Sequence, residues 1–185
     1  MPLRSFIASR IRSFGYAFRG WGYVIRTQQF GWIHATIAAL VLIVGLRAIL
    51  VLEVWDTEAK RLLLSLPVKE GDPFSLQYTH STAKTIIEEH FQIRGSDDIL
   101  ATRMIYVSGG AGIPDVAPPG AHFRINDDGR FVMDNLNKVF PLLANIRVAY
   151  FYPHLLVYHG NNYSLSEIAR GRLVDIKIQK KEFWN

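Results

Sequence analysis

The side chains best suited to chemistry lie in one stretch, FSLQYTHSTAKTIIEEHF, at residues 74–91. Read as two strands joined by a turn, its period of two places Tyr78 and His80 on the apolar face of the first strand. Glu89 falls on the apolar face of the second strand by the same rule, and Ser81 follows the histidine directly. One hairpin thus carries an imidazole, a carboxylate and hydroxyl groups.

A hairpin that turns around Ala83 and Lys84 sets the expected register. Tyr78 then lies opposite Glu89, and His80 becomes a diagonal neighbour of that carboxylate, within contact distance on the same face. The favoured interpretation is a structural pair, in which a buried carboxylate and a buried imidazole satisfy each other.

Two functional alternatives stay open for this hairpin. The first is a ligand site formed by Tyr78, His80, Ser81 and Glu89. The second is a hydrolase site in which Ser81 acts as a nucleophile with His80 as its base. Adjacent strand residues point to opposite faces, which disfavours the hydrolase. A metal site lacks a tight set of ligands. We assign no catalytic residue, metal or cofactor, and the remaining histidines show no spacing that indicates a site.

A glycine- and proline-rich loop, SGGAGIPDVAPPGAH at residues 108–122, is a second candidate. Successive glycines can present backbone N–H groups to an anion. The residues that would do so, or would line such a site, are Gly110, Gly112, Pro114 and Asp115. An ordinary connection between strands is favoured, because no phosphate-loop motif is present.

Composition excludes some classes of protein. The 185 residues include no cysteine, so disulfides and thiolate metal sites are unavailable. The net charge of +5 comes from the N-terminus, since six arginines precede the first carboxylate, Glu53. Beyond that point the charges nearly balance, so a basic groove for nucleic acid is not expected.

Residues 33–52, IHATIAALVLIVGLRAILVL, predict a transmembrane helix, because a helix of 20 predominantly apolar residues spans a hydrocarbon core of about 30 Å. The arginine excess before it predicts a cytoplasmic N-terminus and an extracytoplasmic remainder. No cleavage site follows the run, which favours a retained signal-anchor over a cleaved signal peptide. A buried soluble helix is the other alternative.

Residues 1–32 predict a basic amphipathic cytoplasmic segment suited to an anionic membrane surface. Apolar residues recur every three or four positions, at Ile7, Ile11, Phe14, Phe18, Trp21 and Ile25. The stretch SFGYAFRGWGYVIRTQQFGWIHATIAALVLIVGL resembles the N-terminus of bacterial diacylglycerol/undecaprenol kinases. The resemblance implies an anchor and its topology. It does not imply kinase activity, since the later membrane helices with the catalytic acids have no counterpart.

Residues 53–185 predict a small all-β domain, a sandwich or barrel, from short alternating strands separated by turns. Asp128 and Gly129 indicate a hairpin turn, and IRVAYFY and YSLSE are read as strands. One helical turn is expected near residues 134–140.

A second resemblance rests on blocks in order: LLSLPVKEGDPFSLQYTHS, EEHF, GAGIP, DDGRFVMDNLNKVFP, NIRV and ARGRLVDIKI. They are similar to the bacterial family called domain of unknown function 1850. Its Tyr-x-His-Ser block corresponds to Tyr78, His80 and Ser81, and its acidic residue to Glu89. The resemblance implies an exported or membrane-anchored domain, often encoded beside TRAP transporters of the TAXI type, which import organic acids.

The sequence therefore predicts a single-pass protein of the bacterial cytoplasmic membrane with a β domain outside. Its expected role is an accessory or binding component of a TAXI-type TRAP system. Its expected partners are the membrane, transporter subunits or an extracytoplasmic solute-binding protein. The alternatives are an enzyme, either a hydrolase at His80/Ser81 or a lipid-linked enzyme, and a structural subunit of another membrane complex.

Overall fold

The computed structural model describes residues 19–20, 22–23, 31–45, 49–107, 109, 113–114 and 116–181. Residues 1–47 and 48–183 fall in two separate compact units. The first unit contains helix α1, Gly31–Gly45, and helical residues at 19–20 and 22–23. Most of the predicted amphipathic segment 1–32 lies outside the described residues.

Helix α1 is shorter than the sequence predicts. A continuous helix was expected over residues 33–52, but α1 ends at Gly45 and the first strand, β1, begins at Ile49. Residues 49–52 are apolar and partly β-branched, so they suit a strand as well as a helix, and pairing in the sheet decides between the two. Among the described residues, no helix has both the length and the apolarity that a membrane crossing requires.

The second unit is mostly β-sheet, as predicted. Its described residues form eleven strands and one short helix, α2 (Leu165–Ile168). The strands are β1 Ile49–Asp56, β2 Arg61–Val68, β3 Pro73–Thr79, β4 Ile86–Arg94, β5 Asp98–Tyr106, β6 His122–Ile125, β7 Phe131–Phe140, β8 Leu143–Arg147, β9 His154–Tyr158, β10 Asn161–Ser164 and β11 Leu173–Lys181. They form two antiparallel sheets, ordered β2-β1-β11-β8 and β10-β9-β3-β4-β5-β7-β6.

Both sheets contribute to one main hydrophobic core. Leu52 and Val54 come from the smaller sheet, Leu76 and Leu156 from the larger one, and all four are almost completely buried. Burying each such side chain stabilises the fold by about 2 kcal/mol. A second, smaller hydrophobic cluster around Met133 lies on the larger sheet, with residues from β4, β5 and β7.

Three local predictions differ from the structure. The helical turn expected near 134–140 is part of β7, where Asn135 and Asn137 take positive φ values of 58° and 47°; asparagine tolerates this conformation better than most residues. YSLSE divides between β10 and α2. Only the first two residues of the segment IRVAYFY, Ile146 and Arg147, lie in a strand, β8. The hairpin at Asp128 and Gly129 is confirmed between β6 and β7.

Candidate functional site

The hairpin of β3 and β4 keeps the predicted faces but not the predicted register. Tyr78 lies opposite Ile87, and Leu76 lies opposite Glu89, so the strands are offset by two residues from the expected pairing. A slip of two preserves the side of the sheet on which each side chain lies. Tyr78 and Glu89 are therefore diagonal neighbours on the core side.

His80 is used to close the turn. Its N–H donates to the Thr85 carbonyl at 2.8 Å, and its carbonyl accepts from the Lys84 N–H at 2.9 Å. Its ring Nδ1 accepts from the Ala83 N–H at 3.2 Å. A neutral imidazole with Nδ1 as acceptor carries its proton on Nε2, which is then a donor and not a base.

The predicted pair of His80 and Glu89 is not formed. Within the described residues, no hydrogen bond or ion pair joins the two side chains. The register explains this, because the offset places Tyr78 beside the carboxylate and leaves the imidazole at the turn. Ser81 lies in the turn with an exposed side chain.

Tyr78 takes the place beside Glu89 that was expected for His80. Burial raises the pKa of the Glu89 carboxyl, and its interaction with the Tyr78 hydroxyl opposes that shift only in part. Burial, followed by the nearby carboxylate, raises the pKa of the Tyr78 phenol. Both groups are thereby biased towards their protonated, neutral forms.

His154 is a member of this site that sequence reasoning missed. It pairs with Tyr78 across β9 and β3, and the two rings stack with centroids 5.1 Å apart. The residue is only 2% exposed, and burial lowers the pKa of its imidazole to about 4. Its Nε2 has no hydrogen-bond partner among the described residues. The alternation in HLLVY, with His154 on the face of Leu156, was the available signal.

Glu89, Tyr78 and His154 form a row across β4, β3 and β9, which we call the polar row; His154 is buried, whereas Tyr78 and Glu89 are half-buried. Burial favours the neutral form of each group, so the row does not provide the charged base and activated hydroxyl of a nucleophilic site.

The glycine-rich loop is described only in part. Gly110, Gly112 and Asp115 lie outside the described residues. The carbonyl of Pro114 accepts from the Tyr106 hydroxyl at 2.6 Å, and Ile113 is buried in the smaller core cluster. These contacts tie the described part of the loop to β5.

Other polar features lie away from the polar row. A groove of about 580 Å³ lies beside Asp72, which accepts from the Tyr158 hydroxyl at 2.6 Å and the Lys69 N–H at 2.8 Å. The bond from Tyr158 is the largest cause of a lowered pKa at Asp72.

In the described part of the chain, no three histidine or acidic side chains gather in a way that could hold a metal ion.

Comparison with known proteins gives one family. No curated protein and no solved structure matches this chain. The likeness of the N-terminal segment to lipid kinases stays a prediction. Residues 74–165, which include Tyr78, His80, Ser81, Glu89 and His154, match the model of the family described as a domain of unknown function (DUF1850).

Proposed function

We propose that this protein is a non-enzymatic accessory or binding component of a TAXI-type TRAP organic-acid import system. The family match over residues 74–165 supports the context, because the resemblance in the sequence implies genes of that kind as neighbours. The function is one of recognition within a membrane assembly and not of chemical turnover.

One observation carries the choice of binding over catalysis. His80, the best catalytic candidate in the sequence, has its Nδ1 occupied by the Ala83 N–H inside a turn. A role as general base for Ser81 would need the other tautomer and the loss of that bond. Glu89 is engaged with Tyr78 inside the domain, which supports a structural role for that pair.

We also propose that the N-terminal segment attaches the protein to the cytoplasmic membrane, with the β domain outside. Six arginines and no acid precede Glu53, and helix α1 is apolar from Ile37 to Gly45. A reporter enzyme fused after Asn185 tests this orientation, since the arginine bias predicts activity only outside the cytoplasm. Protease protection of the C-terminal domain in intact spheroplasts would contradict the orientation.

Uptake by cells tests the function. Deletion of the gene should reduce uptake of the organic acid carried by the neighbouring transporter, and the wild-type chain should restore it. Ser81→Ala should restore uptake fully, because its exposed hydroxyl has no role in this proposal. A Ser81→Ala variant that is stably produced but inactive would favour the hydrolase instead. Uptake that is unaffected by the deletion would refute the transport role.

A further inference from the structure

The connection between β8 and β9 exposes aromatic side chains. Tyr150 is 63% exposed and Phe151 is 86% exposed, although aromatic rings of this size usually contribute to cores or interfaces. Their rings contact each other edge-on, with centroids 5.1 Å apart. Together with Tyr152 they form what we call the aromatic loop.

The aromatic loop is held in a fixed shape. The N–H of Val148 donates to the Arg172 carbonyl at 2.9 Å, and the Gly171 N–H donates to the Val148 carbonyl at 3.1 Å. The Tyr150 ring packs closely on Gly171, where an added Cβ would approach Cδ2 of the ring to 3.0 Å. An ordered loop loses little conformational entropy on binding, which favours a recognition role.

A groove of about 460 Å³ runs beside the aromatic loop, and basic side chains border this surface. Its lining consists of Tyr150, Phe151, Tyr152, Pro153, Ser164, Ser166, Glu167 and Arg170. The Lys84 ammonium lies over the Tyr152 ring, 4.9 Å from its centroid. Among the described residues, neither Lys84 nor Arg170 forms an ion pair. Glu167 also lines the groove, so these three side chains carry one net positive charge beside the aromatic rings, which complements a partner with an apolar patch and carboxylates at its rim.

The aromatic loop lies at the opposite end of β1 from the point where the chain enters the domain. Arg172 contacts Asp56, the last residue of β1, at 2.6 Å, whereas the chain enters at Ile49. Seven residue steps along a strand correspond to about 23 Å.

We propose that the aromatic loop docks a folded extracytoplasmic protein, which inserts Phe151 into an apolar pocket and places carboxylates against Lys84 and Arg170. The naming of this partner as the solute-binding protein of the import system rests on the proposed function. The surface itself is argued from the exposure, order and charge of the loop.

Binding to the purified solute-binding protein tests the proposal. The full-length chain is placed in nanodiscs of phosphatidylethanolamine and phosphatidylglycerol, and the dissociation constant is measured by biolayer interferometry. Phe151→Ala should weaken binding by about 30-fold, as expected of a central aromatic anchor. Lys84→Glu with Arg170→Glu should slow association and reduce its salt dependence. Ile125→Ala is the matched control, since Ile125 is 59% exposed on β6 at the other edge of the larger sheet.

The outcomes separate this proposal from the proposed function. Equal binding by wild type and Phe151→Ala overturns the docking surface and leaves the transport role intact. Absence of binding to wild type overturns the docking of this partner, whereas the transport role is overturned only if deletion of the gene leaves uptake unaffected. The chain has no cysteine, so a dye on Phe151→Cys reports its surroundings alone. If the dye responds to lipid in the absence of the partner, the occupant of this surface is the membrane. If the wild type dimerises and Phe151→Ala abolishes the dimer, the occupant is a second copy of the chain. Either result overturns the choice of a folded partner protein.

Discussion

Replacing His154 by leucine tests the charge state of the most deeply buried imidazole among the described residues. Its pKa is lowered from 6.5 to about 4 because burial penalises the charged ring. The unfolded chain therefore binds this proton more readily, so the stability associated with His154 is complete above pH 6.5 and is lost as the pH falls towards 4. The loss amounts to about 2 kcal/mol between pH 7 and pH 5 and about 3 kcal/mol at pH 4.

The contribution of Glu89 to stability changes with pH in the opposite direction. Its folded pKa is raised above the ordinary value of 4.5, so its stabilising contribution is present at low pH and is lost as the pH rises through the raised pKa. Acidification thus strengthens the fold through Glu89 and weakens it through His154. Glu89→Gln should steepen the loss of stability below pH 6.5, whereas His154→Leu should reduce it.

Urea unfolding of residues 48–183 at pH 7, 6 and 5 measures both effects. This pH range lies above the range in which Asp72 and Asp134 titrate, because their pKa values are lowered from 3.8. His90 adds a change of the same sign as His154, since burial also lowers its pKa. His122→Gln, at an exposed position, controls for the loss of a histidine as such. A His154→Leu profile parallel to wild type would refute the assignment of the pH dependence to this ring.

Three further predictions concern stability. Tyr158→Phe removes the hydroxyl that donates to Asp72 at 2.6 Å, and it should lower the free energy of unfolding by about 2 kcal/mol in urea titrations. Leu52→Ala should cost about 3 kcal/mol by the same assay, since Leu52 is completely buried between the sheets; a loss below about 1 kcal/mol would contradict that packing. Residues 48–183 should fold alone with the far-ultraviolet spectrum of a β protein, whereas residues 53–185 should be unstable, because they lack half of β1. Equal melting temperatures of the two fragments would argue against the boundary.

The turns and the faces of the strands followed from local patterns in the sequence. The alternation in residues 74–91 placed Tyr78 and Glu89 on the buried face, because the direction of a side chain in a strand depends only on a period of two. Asp128 and Gly129 gave their turn because glycine adopts the positive φ of 79° found there. The all-β class followed in the same way from many short alternating segments.

Tertiary structure decided what depends on partners distant in the chain. Residues 49–52 became a strand because β1 lies between β2 and β11, and β11 follows more than 110 residues later. The register of β3 and β4 depends on a local contact, the turn in which the His80 N–H donates to the Thr85 carbonyl, but a period of two does not specify it. This register puts Tyr78 beside Glu89, in the place expected for His80. His154 joined that pair only through the pairing of β9 with β3. A period of two specifies the face on which a side chain lies, whereas its neighbour on that face is specified by which strands pair and in which register.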